Sequence, residues 1–188
     1  MNKRLPITTF MACTVLLLTG CGKTVSKDEA GTFVEENYTS KEEKEFDTHT
    51  ETDVQKAEGI YADLFKVGKE TKDDVKKYAP ITKLDLAVYS ADYFKFTLKG
   101  KQLVISYNIK SLKDFMKSQG GDDSSIPEDA KFSGSASGEY VYDENGYPVS
   151  SYDKADLSFE YSTTVLGLSV TAKGALKMNE KVTYTLKK

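Results

Sequence analysis

The apolar positions of this 188-residue chain change period along its length, and each change marks a different kind of segment. Residues 5–18 form a nearly unbroken apolar run. From Gly22 to about Thr52 large apolar residues are few, chiefly Phe33, Val34, Tyr38 and Phe46, scattered around Lys41-Glu42-Glu43-Lys44-Glu45. Such a stretch has little to bury against the entropy of ordering, so a flexible charged tether is expected. Val54, Ala57, Tyr61, Leu64 and Phe65 then recur at three- and four-residue spacing. That stripe predicts a helix opened by a capping box at Thr52 and Gln55 and stopped by Gly68. Thr71-Lys72-Asp73-Asp74, with Val75 and Tyr78, predicts a second short helix ended by Pro80.

Beyond Pro80 the period becomes two. Leu84, Leu86 and Val88 predict one strand, and Phe94, Phe96 and Leu98 another. Lys99-Gly100-Lys101 reads as a hairpin connection into Leu103, Ile105 and Tyr107. Ser111 and Asp114 open a helix with Leu112, Phe115 and Met116, followed by a loop over 120–129. The last third is a meander with strands over 135–142, 149–161, 168–178 and 182–186. Asn145-Gly146 is its strongest hairpin signal, because both residues tolerate positive φ. The pattern as a whole predicts an α+β fold: N-terminal helices packed on a curved antiparallel sheet, in one domain over residues 53–188.

The N-terminal run carries the address. Met1-Asn2-Lys3-Arg4 supplies a positive start, residues 5–18 the apolar core and Gly20 a small residue for cleavage, which together read as a secretory signal. The core is shorter than the roughly 20 residues that a spanning helix needs. Leu18-Thr19-Gly20-Cys21 resembles the lipobox of bacterial lipoproteins. The resemblance implies cleavage between Gly20 and Cys21, a diacylglycerol on the Cys21 thiol, and anchoring at the extracytoplasmic face of the cell membrane. Residues 1–20 would then be signal peptide and 21–52 a lipidated tether. Each buried methylene contributes about 0.8 kcal/mol, so two or more acyl chains hold durably. Gly22 after the cysteine and a Lys-rich, Trp-free composition suit a Gram-positive surface.

The cysteine count agrees with this address. Cys13 leaves with the signal and Cys21 is consumed by the lipid, so the folded part has no disulfide and rests on its core. Helices followed by a long meander also resemble the open half-barrels of lipoprotein carriers, whose bent sheet holds acyl chains beneath helices. That resemblance of element order implies an apolar cavity under the helix over 54–65.

Charge and side-chain inventory exclude more than they include. Removing Lys3 and Arg4 takes the net charge from −3 to −5, and acids and lysines alternate, so no basic stripe for nucleic acid is present. Serine or cysteine catalysis needs a base, and the one histidine, His49, falls in the expected tether as a solvated bystander. Asp143-Glu144-Asn145-Gly146 and Gly121-Asp122-Asp123 cluster oxygens without the spacing of a calcium loop and read as turns. Gly134-Ser135-Ala136-Ser137-Gly138 lacks the lysine and the following helix pattern of a phosphate loop and reads as easing a strand through a bend or a close packing contact. No enzyme activity, metal or cofactor is expected. Tyr89, Tyr93, Tyr140, Tyr142, Tyr152 and Tyr161 are candidates to line a surface for a lipid-like ligand or an envelope protein. The expected role is therefore a non-enzymatic binding module. Its alternative is a structural protein with a filled core that docks an envelope partner.

Overall fold

Eight antiparallel strands in one sheet organise the computed structural model, which describes residues 22–111, 131–165 and 168–187. They are β1 (Lys23–Val25), β2 (Lys44–Gly59), β3 (Gly68–Tyr78), β4 (Phe94–Lys99), β5 (Gln102–Ile109), β6 (Lys131–Tyr142), β7 (Pro148–Val165) and β8 (Leu168–Leu186). Their order across the sheet is β1-β4-β5-β6-β7-β8-β2-β3. The described residues hold one α-helix, α1 (Lys27–Asn37), and a 3-10 turn (Asp85–Val88). The expected α+β fold with a layer of N-terminal helices is thus corrected to a mostly β fold.

The helix expected after Thr52 does not form, and its apolar stripe has a different cause. Phe46, Thr48, Thr50, Thr52 and Val54 alternate along β2, and threonine favours the pleated strand as valine does. A register shift between Val54 and Lys56 inserts one residue, which puts Ala57 on the same face as Val54. Tyr61, Leu64 and Phe65 then share one hydrogen-bonded turn, with the amides of Leu64 and Phe65 both donating to the Tyr61 carbonyl. A bulge followed by a turn therefore mimics helical spacing. The second expected helix is β3, an edge strand exposed along its length except at Tyr78. Seven of its eleven residues are charged, which suits an edge that must not recruit further strands. The strand expected over 84–88 is the 3-10 turn, fixed by the Thr82 amide and hydroxyl donating to Asp85 Oδ2 at 2.7 and 2.8 Å.

Residues 22–52, expected to be a flexible tether, are folded: they hold β1, α1 and the first part of β2. Ser26 Oγ accepts from the Glu29 amide at 3.1 Å while Glu29 Oε2 accepts from the Ser26 amide at 2.8 Å, a complete capping box. Ala30, Val34 and Tyr38 follow at four-residue spacing and are buried against Phe96, Leu103 and Ile105 of the sheet. Few apolar residues sufficed because they fall on one stripe.

The meander matches its sequence signals, except that the two last strands are one, β8. The 143–146 turn is held by Asp143 Oδ1, which accepts from the amides of Asn145 at 2.8 Å and Tyr147 at 2.9 Å. The helix expected after Ser111 and the loop over 120–129 lie outside the described residues.

One end of the sheet is thick and the other thin. At the lower end α1 and the 3-10 turn cover β4 and β5, Tyr78 packs edge to face on Phe46 and Tyr184 across β2, β3 and β8, and Tyr147, just before β7, lies tilted against Phe46. The upper parts of β7, β8 and β2 keep the alternation of half-buried apolar and exposed polar positions. Registers fix the two ends: Lys23 lies level with Leu98, Leu103, Tyr142 and Pro148, whereas Gly59 lies level with Gly174 and Phe159. Eleven residues of β7 separate these levels, about 36 Å at the rise of an extended strand.

Candidate functional site

The chemistry-bearing side chains lie on the sheet surface in three places. On the helix-bearing face, β5, β6 and β7 bring Tyr107, Tyr140 and Asp153 together. Asp153 Oδ1 accepts from the Tyr107 hydroxyl at 2.5 Å and from the Tyr140 hydroxyl at 3.0 Å. The two rings stack with centroids 6.0 Å apart, and Phe94 and Tyr89 extend the aromatic patch toward the 3-10 turn. Gly138, opposite Asp153, makes this possible: a Cβ there would stand 2.6 Å from the Tyr107 ring and 2.7 Å from Asp153 Oδ1. Burial first and Asp153 second push the Tyr107 and Tyr140 hydroxyls well above the ordinary phenol range. Burial also raises Tyr142, beside Tyr89. All three phenols are neutral hydrogen-bond donors at physiological pH.

On the opposite face of β2, His49 is not a tether residue but part of the ladder. Its Nδ1 lies 2.6 Å from Asp73 Oδ1 on β3 and its Nε2 lies 3.6 Å from Glu51. The hydrogen bond to Asp73 is the main cause that raises its pKa above the ordinary 6.5, with Asp73 and Glu51 charges adding to it. The ring is exposed, as the bystander reading expected, but it clips the edge strand to its neighbour.

The third place is the turn between β2 and β3, at the upper end. Gly59 enters it at φ 61°, and the Ile60 amide donates to the Lys173 carbonyl at 3.2 Å. Tyr61 lies edge-on to Phe159, centroids 5.9 Å apart, in space that only a glycine at 174 leaves, since a Cβ there would sit 2.9 Å from both rings. Phe65 packs on Tyr61 at 6.3 Å. Ile60, Leu64 and Val67 point outward and are 48%, 70% and 63% exposed.

The concavities among the described residues are open grooves. One of about 440 Å³ runs beside His49, Asp73 and Asp74, another of about 400 Å³ beside Tyr152 and Glu180, and one of about 410 Å³ beside Phe159 and Lys173. The cavity expected under a helix over 54–65 has no helix to roof it. Among the described residues no three His, Cys, Asp or Glu side chains gather as metal ligands, and no helix is long and apolar enough to cross a membrane.

Of the tyrosines singled out from sequence, Tyr89, Tyr140 and Tyr142 meet in the aromatic patch, Tyr93 lines an open groove together with Tyr107, Tyr152 is exposed on the opposite face, and Tyr161 lies on β7 eight residues beyond Asp153. Tyr107 and Asp153, the centre of the patch, were not distinguished by sequence; their i and j positions on different strands become neighbours only through the register. Gly20 and Cys21, the cleavage and lipidation residues, lie outside the described residues. Comparisons with protein-family models, curated proteins and solved structures return no match to this chain.

Proposed function

We propose that this protein is a non-enzymatic interaction module, anchored through a lipid on Cys21 to the extracytoplasmic face of the cell membrane, that docks an envelope partner on the surface of its sheet. The carrying observation is the open sheet itself: among the described residues its concavities are open grooves, and the aromatic patch around Tyr107 is packed on itself and on Asp153. A carrier of acyl chains needs an enclosed apolar space. A docking module needs a rigid surface with few mobile parts, which long strands paired in one sheet provide.

The place where the chain enters the sheet supports the anchor. Lys23, the first residue of β1, follows Cys21 by two residues, so the folded part begins directly at the lipid. The test is fractionation of cells fed labelled palmitate. The intact chain is expected in the membrane fraction carrying label, and Cys21→Ala in the medium or soluble fraction without it. Label on the Cys21→Ala protein, or a wild type that is soluble and unlabelled, would overturn the anchored reading.

A further inference from the structure

The chain joins the sheet without a spacer. Gly22, the residue after Cys21, already lies flat on β4: a Cβ there would stand 2.7 Å from Thr97 Cγ2 and 3.0 Å from Lys99 Cγ. The register agrees, since Lys23 pairs with Leu98 and so leaves Gly22 level with Lys99, the last residue of β4. Successive Cα atoms are about 3.8 Å apart, which keeps Cys21 beside the hairpin that joins β4 to β5. That hairpin is Lys99-Gly100-Lys101-Gln102, turned through Gly100 at φ 62°. Among the described residues the Lys99 and Lys101 ammonium groups have no carboxylate partner, whereas Lys23 pairs with Glu29 at 3.7 Å.

We propose that the β4–β5 hairpin is the membrane-contacting element of the module, and that Lys99 and Lys101 bind anionic phospholipid headgroups around the lipid on Cys21. The inference rests on the anchored reading, which puts the headgroup layer one residue from Gly22. Charge selects the partner. Without Lys3 and Arg4 the chain carries a net charge of −5, so an anionic bilayer repels it as a whole. Two unpaired ammonium groups at the tethering point reverse that sign locally, because the attraction acts within a screening length of about 8 Å. Asp143 and Glu144 lie at the same end but follow β6, two strand spacings or roughly 10 Å from β4, and therefore do not cancel the lysines. Flexible lysine stems reach headgroups while the backbone stays outside them.

The test uses the full lipidated chain carrying Gln102→Cys, a unique thiol because Cys13 leaves with the signal and Cys21 holds the lipid. A dye on that thiol is quenched by nitroxide headgroups in vesicles of phosphatidylcholine alone or mixed with phosphatidylglycerol. Quenching is expected to be at least three-fold stronger in the mixed vesicles. Lys99→Glu with Lys101→Glu removes that difference, the two arginine replacements keep it, and Lys154→Glu with Lys173→Glu, an equal charge change at exposed positions elsewhere, leaves it intact. Equal quenching in the two vesicles, a difference that survives Lys99→Glu with Lys101→Glu, or an equal fall with the Lys154 and Lys173 pair would overturn the proposal. Failure of the anchor is read separately, from the mass of Cys21 and from whether the chain floats with the vesicles.

Discussion

Tyr107 donates its phenolic hydrogen to Asp153 across 2.5 Å, joining β5 to β7 over the intervening strand β6, where Gly138 leaves the room for it. Tyr140 donates to the same oxygen at 3.0 Å. Asp153→Ala leaves two half-buried hydroxyls without their acceptor and is expected to cost about 1–3 kcal/mol. Asp153→Asn keeps an acceptor oxygen and costs less. Urea denaturation of the full chain measures both; equal losses would show that the shared acceptor is not what matters.

The same phenols set the alkaline limit. Their pKa values in the folded chain lie above the ordinary 10, because burial disfavours the charged form and Asp153 repels it. The folded state holds these protons more tightly than the unfolded state, so their contribution is fully present below pH 10 and is lost as pH rises beyond it. Absorbance at 295 nm and far-ultraviolet circular dichroism, followed together, should show these tyrosines ionising with unfolding and not before it.

His49 titrates in the opposite region. Its hydrogen bond to Asp73 raises its pKa above 6.5, so the clip between β2 and β3 is complete below about pH 6.5 and loosens as pH rises through the raised value. Proton NMR of the imidazole should report that elevation, and Asp73→Asn should bring it back toward 6.5. An unchanged pKa in Asp73→Asn would refute the contact.

Gly174→Val intrudes between Tyr61 and Phe159, where even a Cβ would lie 2.9 Å from each ring. Overpacking of this kind costs about 1–3 kcal/mol, and the near-ultraviolet dichroism of the displaced rings should fall with it. Thermal unfolding and near-ultraviolet spectra check the two effects on one sample.

Ser26→Ala removes the cap of α1 and is expected to cost about 1 kcal/mol. Because α1 covers the core at Phe96 and Leu103, the loss should appear in the global unfolding transition. A helix that frayed alone, with the main transition unmoved, would mean that residues 27–37 are not integral to the fold.

These particulars show where the sequence was readable. Period-two alternation marked β4, β5, β6 and β7, and Asn145-Gly146 marked the hairpin, because in each case local pattern and tertiary role agree. Thr52 to Phe65 misled because the bulge after Val54 and the turn at Tyr61 reproduce a helical stripe without a helix. Ser26 to Tyr38 was legible in its capping box and its four-residue spacing, but mean polarity concealed a stripe only three residues wide. The Tyr107–Asp153 contact spans 46 residues and depends on two strand registers, which no local signal encodes. The lipobox reading of Leu18-Thr19-Gly20-Cys21, by contrast, is a proposal from sequence, since those residues lie outside the described ones.

The central claim is a β-sheet module tied to the membrane at Cys21. Mass spectrometry of the protein extracted from membranes reads its first residue and that residue's mass directly. The predicted result is a chain that begins at Cys21 and carries the mass of a diacylglycerol. A chain that begins elsewhere, or at an unmodified Cys21, would contradict it.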